Sequence, residues 1–248
     1  MKSYLLPIFM LAFSILHQAQ TIITDRPDQT EASSTVPQGS LQIESGIFLG
    51  FTAEKTQSKR QLLAPTTLFR YGIAKGIEIR VLSQFESLNN QFTSTEVNGI
   101  SDLELGTKTQ IFQKEDVNTE ISFLSHLILP IGSEGLSSGN FGTINKISIA
   151  HDITDKVAVG YNLGYNYFGT GDGDFTYSLA LGISVTDKVG IYLEPYGNLV
   201  DFNNHFSNFD AGMTYLLRDN LQLDFSFGTG INHTMNYLST GFSWNTSQ

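Results

Sequence analysis

Apolar side chains recur at every second position through most of this chain, and no stretch after the first twenty residues approaches the 18 apolar residues of a membrane-spanning helix. In 41–51, Leu41, Ile43, Ile47, Leu49 and Phe51 share one face, with Gln42, Glu44, Gly46, Phe48 and Gly50 on the other. In 157–167, Val157, Val159, Tyr161, Leu163, Tyr165 and Tyr167 alternate with Ala158, Gly160, Asn162, Gly164 and Asn166. The same holds for Phe175–Val185 and Leu221–Gly228. A period of two is that of a strand. The second face is the informative one. A soluble β-sandwich, or a soluble periplasmic barrel, would show water Lys, Glu and Thr there. This chain instead places Gly, Ala, Ser and Asn, as for a confined interior. Aromatics near strand ends (Tyr165, Tyr167, Phe175, Tyr177, Trp244) fit an interfacial girdle.

The turns repeat. Ile153-Thr-Asp-Lys-Val157 returns as Val185-Thr-Asp-Lys-Val189 and as Leu217-Arg-Asp-Asn-Leu221, 32 residues apart each time. Ile73-Ala-Lys-Gly-Ile77 and Gln113-Lys-Glu-Asp-Val117 occupy equivalent places upstream. Each is a tight polar turn between alternating runs, the mark of a hairpin. Longer polar segments fall near 52–60, 87–98, 130–141, 168–174, 199–207 and 230–236. Five short turns and six long loops separate twelve strands, predicted at 38–51, 61–72, 76–86, 99–112, 117–129, 142–151, 156–167, 174–184, 188–198, 207–216, 221–229 and 236–244. The expectation is an all-β fold, a transmembrane antiparallel up-and-down barrel of about 12 strands. Both termini then lie on the short-turn, periplasmic side. Closure follows from energetics, since an open strand edge in hydrocarbon leaves backbone groups unpaired at several kcal/mol each.

The N-terminus supports export. Lys2 precedes an apolar run from Tyr4 to Leu16, too short to span a bilayer but suited to a signal peptide ending near Ala19. The predicted organisation is a signal peptide over 1–19, a periplasmic N-terminal segment over 20–37 and a barrel over 38–248, placed in the bacterial outer membrane. Composition agrees. Charged residues make up 15%, against about 25% in ordinary soluble domains. The net charge of −10 argues against nucleic acid as a partner. With no cysteine there is no disulfide and no thiolate chemistry. The expected partners are outer-membrane lipid, a small-molecule solute and, during biogenesis, the barrel-assembly machinery.

Carrying the alternation into the middle strands places Arg70, Glu78, Arg80, Asp102, Glu104, Lys108, Glu120 and His126 on the inward face. Phe69, Ile77, Ile79, Leu103, Leu105, Phe123 and Leu127 then face lipid. A lysine or arginine facing lipid at mid-depth costs roughly 2–4 kcal/mol, so energy and pattern agree. These charges read either as a ladder packing the interior or as a polar constriction that selects solutes. Residues 22–37 carry two prolines and the charges Asp25, Arg26, Asp28 and Glu31 ahead of the first strand. They are a candidate plug.

Thr24-Asp-Arg-Pro-Asp-Gln-Thr-Glu31, Gly39-Ser-Leu-Gln-Ile-Glu-Ser-Gly46, Leu68-Phe-Arg-Tyr-Gly72, Ile77-Glu-Ile-Arg80, Asp102-Leu-Glu-Leu-Gly-Thr-Lys108 and Leu129-Pro-Ile-Gly132 resemble the exported barrel family named for the MetA pathway of phenol degradation. The resemblance spans about 22–244. It implies an outer-membrane transporter whose solutes include hydrophobic or aromatic compounds, with no catalysis. One departure is that outer-membrane barrels commonly end on an aromatic, whereas this chain runs on from Trp244 through Asn245–Gln248.

Enzyme signatures are weak. His205-Phe206-Ser207 is a His-x-Ser pair beside Asn203 and Asn204, the basis of a lipid-hydrolase reading. His126, His151 and His233 show no metal spacing. Gly169-Thr-Gly-Asp-Gly-Asp174 lacks a calcium loop's ligand pattern. No cofactor and no catalytic residue is expected. A channel or transporter for small solutes is the leading reading, ahead of a structural or adhesive barrel and of a lipid-acting hydrolase.

Overall fold

The computed structural model describes residues 22–54, 57–90, 92–114 and 117–247, so the expected export signal lies outside the described residues. Thirteen strands follow one another: β1 (Leu41–Glu54), β2 (Gln57–Ala74), β3 (Ile77–Asn90), β4 (Thr95–Ile100), β5 (Leu103–Lys114), β6 (Val117–Leu129), β7 (Gly142–Thr154), β8 (Val157–Tyr167), β9 (Asp174–Ser184), β10 (Val189–Val200), β11 (Asn204–Arg218), β12 (Leu221–Gly230) and β13 (Thr234–Asn245). Each pairs antiparallel with its neighbours, and β1 pairs with both β2 and β13, which closes the sheet. The result is a closed twelve-stranded barrel plus the short β4. The described residues hold no helix long and apolar enough to cross a membrane.

All twelve expected strands are present, with two corrections. The predicted fourth strand is broken at Ser101–Asp102. β3 pairs with β5 over Ile77–Leu82 and with β4 over Phe85–Asn90, so β4 and β5 share one partner end to end. The expected long loops at 52–60, 199–207 and 230–236 are mostly strand. Thr52 pairs with Lys59, Val200 with Asn204 and Ala53 with Thr234. Polar residues there break the hydrophobic pattern but still complete the backbone ladder, and backbone pairing decides where a strand ends. Residues 130–141 remain a true loop between β6 and β7.

Burial is inverted relative to a soluble protein. The largest fully buried side chains are Arg70, Arg80, Lys108, Leu124, Gln42, Glu44, Glu78, Glu194, Asn245 and Asp210. Ile47, Leu105, Phe123, Phe227, Leu238 and Trp244 stand on the outside, exposed in the isolated chain. One pleated ladder therefore presents hydrocarbon to lipid and polar groups to the lumen. In β2 the register slips between Leu63 and Thr66, around Pro65, which has no N–H to give the ladder. At the other end β13 carries the chain past its last aromatic. Asn245 donates its backbone N–H to Asn220, and Thr246 donates to the Leu41 carbonyl.

Candidate functional site

Neighbouring strands bring the middle-strand charges into adjoining rows. Gln42, Arg70, Arg80, Gly106 and His126 sit opposite one another in turn across β1, β2, β3, β5 and β6. Two residues along, Gly72, Glu78, Lys108 and Leu124 form the next inward row. Side by side, the two arginines would repel. Glu78 lies between them, accepting from Arg70 Nε at 2.9 Å and from Arg80 Nη1 at 2.8 Å. Arg80 Nε reaches His126 Nε2 at 3.0 Å, and His126 Nδ1 meets Glu104 at 2.8 Å. Gly106 is what lets the histidine lie flat, because a Cβ there would sit 1.9 Å from the ring.

Residues 22–37 supply the remaining counter-charge from inside the barrel. The Asp25 carboxylate meets Arg80 at 2.6 Å, Lys108 at 2.8 Å and Arg70 at 3.3 Å, and accepts the Ala32 backbone N–H at 2.8 Å. Glu31 meets Arg80 at 2.8 Å, with Lys108 and Lys146 farther off. The wall answers with carboxylates that take the segment's own N–H and O–H groups. Glu44 accepts from the backbone of Asp25 and Arg26, Glu78 from Val36, Glu194 from Gln29 and Thr30, and Glu120 from the Ser33 and Ser34 hydroxyls. Arg26, its backbone held by Glu44 on β1, lies along the β1–β13–β12 wall to form a two-pronged pair with Asp224 on β12, at 2.8 and 3.1 Å. Gly46 and Gly241, partners across β1 and β13, leave the space its guanidinium fills.

The β10–β12 side differs. Glu194 and Asp210 are direct cross-strand partners, both fully buried, and the Tyr237 hydroxyl donates to Asp210. Among the described residues, no Lys, Arg or His ion pair reaches Glu194, Asp210 or Asp28.

Arg70, Glu78, Arg80, Lys108, His126, Glu104, Asp25 and Glu31 thus lie in one bonded cluster. Arg26 lies apart from it, on Asp224. Glu120 sits lower in the barrel, beside Ser33 and Ser34, and also accepts from Gln113. Asp102 is not in the cluster. It occupies the break between β4 and β5 and accepts from Gly132 and Ser138 of the β6–β7 loop. Partial burial pushes its carboxyl up, but hydrogen bonds from Ser137, Ser138 and Gly132 outweigh that and hold it below the usual carboxylate range. It organises a loop at the barrel rim. The expected place on the inward face of a strand is corrected to a strand break, because sequence parity gives a face and not a height.

Glu44 and Asp224 fall on the small, polar face already read for their strands. Lys146, Glu194 and Asp210 are lumen residues that the reading did not single out; each falls on the inward parity of its strand, so extending the alternation to β7, β10 and β11 finds them.

Cavities lie at both ends of the segment. One of 720 Å³ opens on the short-turn side, lined by Ile23, Ala32–Ser34, Lys75, Glu120 and Asp152. Three of 400, 300 and 300 Å³ occupy the loop side and share Gln29. The 400 Å³ cavity is lined by Phe48, Leu88, Tyr196, Met235 and Tyr237, with the Phe48 and Tyr237 rings stacked at 5.1 Å. Outside the lumen, Ser207 Oγ lies 3.1 Å from His205 Nε2, which Tyr177 also meets at 2.9 Å. No hydrogen bond from that histidine to an Asp or Glu orients it among the described residues. Those residues also contain no group of three or more His, Asp or Glu able to hold a metal ion.

The architecture is shared with solved membrane barrels. An outer membrane channel from Pseudomonas putida F1 superposes with a TM-score of 0.73 at 13% identity, covering 88% of this chain and 98% of that one. The KdgM porin, solved with disordered oligogalacturonate, gives 0.56 at 12% identity over 82% and 98%. The NanC porin gives 0.53 at 11% identity over 81% and 98%. No curated protein matches the sequence. Residues 24–245, from the Asp25-bearing segment to the end of the last strand, match one family throughout, and the chain belongs to that family, described as "Putative MetA-pathway of phenol degradation".

Proposed function

We propose that this protein is an outer-membrane channel for small solutes whose lumen is closed at rest by its own N-terminal segment. The observation that carries the reading is the position of residues 22–37 between the cavity on the short-turn side and those on the loop side. A wall that merely needed packing would have no reason to leave space at both ends.

The segment is held by charge-assisted hydrogen bonds to wall carboxylates and by the Asp25 hub, so it is removable in one piece. A buried strand or a hydrophobic core would not be. Each bond is replaceable by water once the segment moves, which keeps opening within reach. The loop-side cavity with Phe48, Tyr196, Met235 and Tyr237 offers an apolar ledge for a small aromatic or aliphatic solute entering from outside. Export by the N-terminal signal and insertion by the barrel-assembly machinery complete the proposal, with outer-membrane lipid covering the apolar belt.

An adhesive barrel would work through its loops, and most of these are short. A lipid hydrolase would need an acid behind His205. Planar-bilayer recording decides the matter, comparing the full chain with a variant lacking residues 22–37 whose barrel is verified by heat-modifiable gel migration. The expected result is small or rare conductance in the first and large conductance in the second. A folded barrel that passes no current in either form would overturn the channel.

A further inference from the structure

We propose that the loop side of the lumen carries, on its β8–β11 wall, a subsite for a small neutral polyol the size of a single monosaccharide. This rests on the channel reading above for its role, and it adds a second solute class beside the apolar one.

Strand register builds the site. Asn162, Ser178, Tyr196 and Asn208 sit opposite one another in turn across β8, β9, β10 and β11, on the inward face. Gly164, Thr176 and Asn198 form the next inward row toward the loops. Part of the lower row is engaged by the N-terminal segment. Asn162 accepts the Glu31 backbone N–H and donates to the Glu31 carbonyl, and Ser178 shares a hydrogen bond with Thr30. The remaining groups line one of the 300 Å³ cavities, to which the segment contributes Gln29.

Those remaining groups are unused by the fold. Asn208 is 6% exposed, yet its Oδ1 has no hydrogen-bond partner among the described residues, and neither has Asn166 Oδ1 farther along β8. No hydrogen bond engages the side chains of Gln29, Thr176, Tyr196 or Asn198 among the described residues either. The β2–β3 side of the same lumen is closely paired by comparison, with Glu78 bonded to both Arg70 and Arg80. A buried amide costs free energy until a partner is supplied, so this wall calls for a ligand that brings several hydrogen bonds at once.

The chemistry narrows the class. Amides and hydroxyls both donate and accept, and the terminal torsion of an asparagine is soft enough to present either end. The matching solute is one whose own groups each donate and accept, which is a polyol. No carboxylate lines the cavity, and its one cation, Lys146, already has Glu31 at 3.7 Å, so a charged solute meets no open counter-ion. An apolar solute would displace water from the amides without replacing its hydrogen bonds, which loses affinity. Tyr196, which lines this cavity and the apolar ledge alike, supplies an aromatic surface for the C–H groups of a sugar ring. A cavity of 300 Å³ is at the low end of small-molecule sites, enough for one ring and not for an oligosaccharide.

The test is saturation-transfer NMR of D-glucose on the full chain in an amine-oxide detergent, which brings no competing sugar and needs no current. Glucose should bind with a Kd on the order of 1 mM, tight enough to load and weak enough to leave a pore. N198A/N208A, with its fold verified by heat-modifiable gel migration, should weaken binding roughly tenfold through the loss of two amides. Gln29→Ala, which alters the segment and not the barrel, should weaken it by less. No saturable glucose binding, undiminished binding in a folded N198A/N208A, or undiminished binding in Gln29→Ala overturns the inference and leaves the channel standing. Glucose binding with no current from either the full chain or the form lacking residues 22–37 overturns the channel, and with it the polyol's role as a solute.

Discussion

The two sides of the lumen are built from the same ladder of inward residues, yet they solve the problem of buried charge in opposite ways. On the β2–β6 side, arginine, lysine and glutamate interleave until each charge has a partner, with Asp25 from the N-terminal segment closing the set. On the β10–β12 side, Glu194 and Asp210 face each other with no basic partner among the described residues, while Asp224 receives a cation, Arg26. The segment is therefore gripped on one side through the shared Asp25 anion, and on the other through the single Arg26–Asp224 pair and hydrogen bonds from Gln29 and Thr30. Removing one member of a buried ionic network strands its partners at about 3–5 kcal/mol, whereas a single neutral hydrogen bond contributes about 1 kcal/mol. The grip should therefore fail in a defined order.

The largest effect is expected from Asp25→Ala. It leaves Arg70, Arg80 and Lys108 short of a shared anion and should loosen the segment by about 3–5 kcal/mol. Conductance should rise sharply and residues 22–37 should become open to protease. Unchanged protection would show that the paired wall is not what holds the segment.

Next comes Arg26→Ala, which strands Asp224 and adds one more unpaired acid to the other wall. A loss of about 1.5–3 kcal/mol fits the removal of charged hydrogen bonds. Opening should increase less than for Asp25→Ala, and equal effects from the two would erase the asymmetry between the walls.

Smaller again is Thr30→Val, which takes away the hydroxyl shared with Glu194 and Ser178 at a cost of about 1 kcal/mol. Its readout is a modest rise in open probability. A change as large as that of Asp25→Ala would place the principal grip on the β10 side instead.

The smallest effect lies outside the lumen and serves as its control. The carboxyl of Asp102 titrates lower in the folded protein than in the unfolded chain. Its contribution is therefore complete above the unfolded carboxylate pKa and is lost as pH falls through the folded value. Exchange of the Gly132 and Ser138 amide protons should converge with that of Asp102→Asn as the pH is lowered, while conductance stays unaltered. A conductance change would tie this loop to the gate.

Much of the lumen is legible in the sequence. Arg70, Glu78, Arg80 and Lys108 are charged residues in strands whose alternate positions are Phe69, Ile77, Ile79 and Leu105. Lipid admits only one orientation for such a strand. Asp102 shows the limit, because the same parity assigns it inward and nothing in the pattern says it sits at the rim. The loops at 52–60 and 230–236 show another, since polar sequence signals exposure to water and says nothing of whether backbone partners continue. Glu194 and Asp210 were readable as inward, but not as facing each other. That depends on the register between β10 and β11, and an offset of two residues would keep both inward and separate them.

What the sequence by itself determined is the barrel. Period-two alternation, a thin supply of charge and repeated hairpin turns leave closure as the way for strands in lipid to satisfy their backbone groups. What only the tertiary structure decided is the pairing across the lumen. Arg26 and Asp224 are 198 residues apart, and Asp25 and Lys108 are 83 apart. Contacts of that separation follow from strand register and from where a sixteen-residue segment (22–37) comes to rest inside a closed cylinder. The pattern fixes which face a side chain takes. Its partner is fixed by the ring of twelve strands once closed.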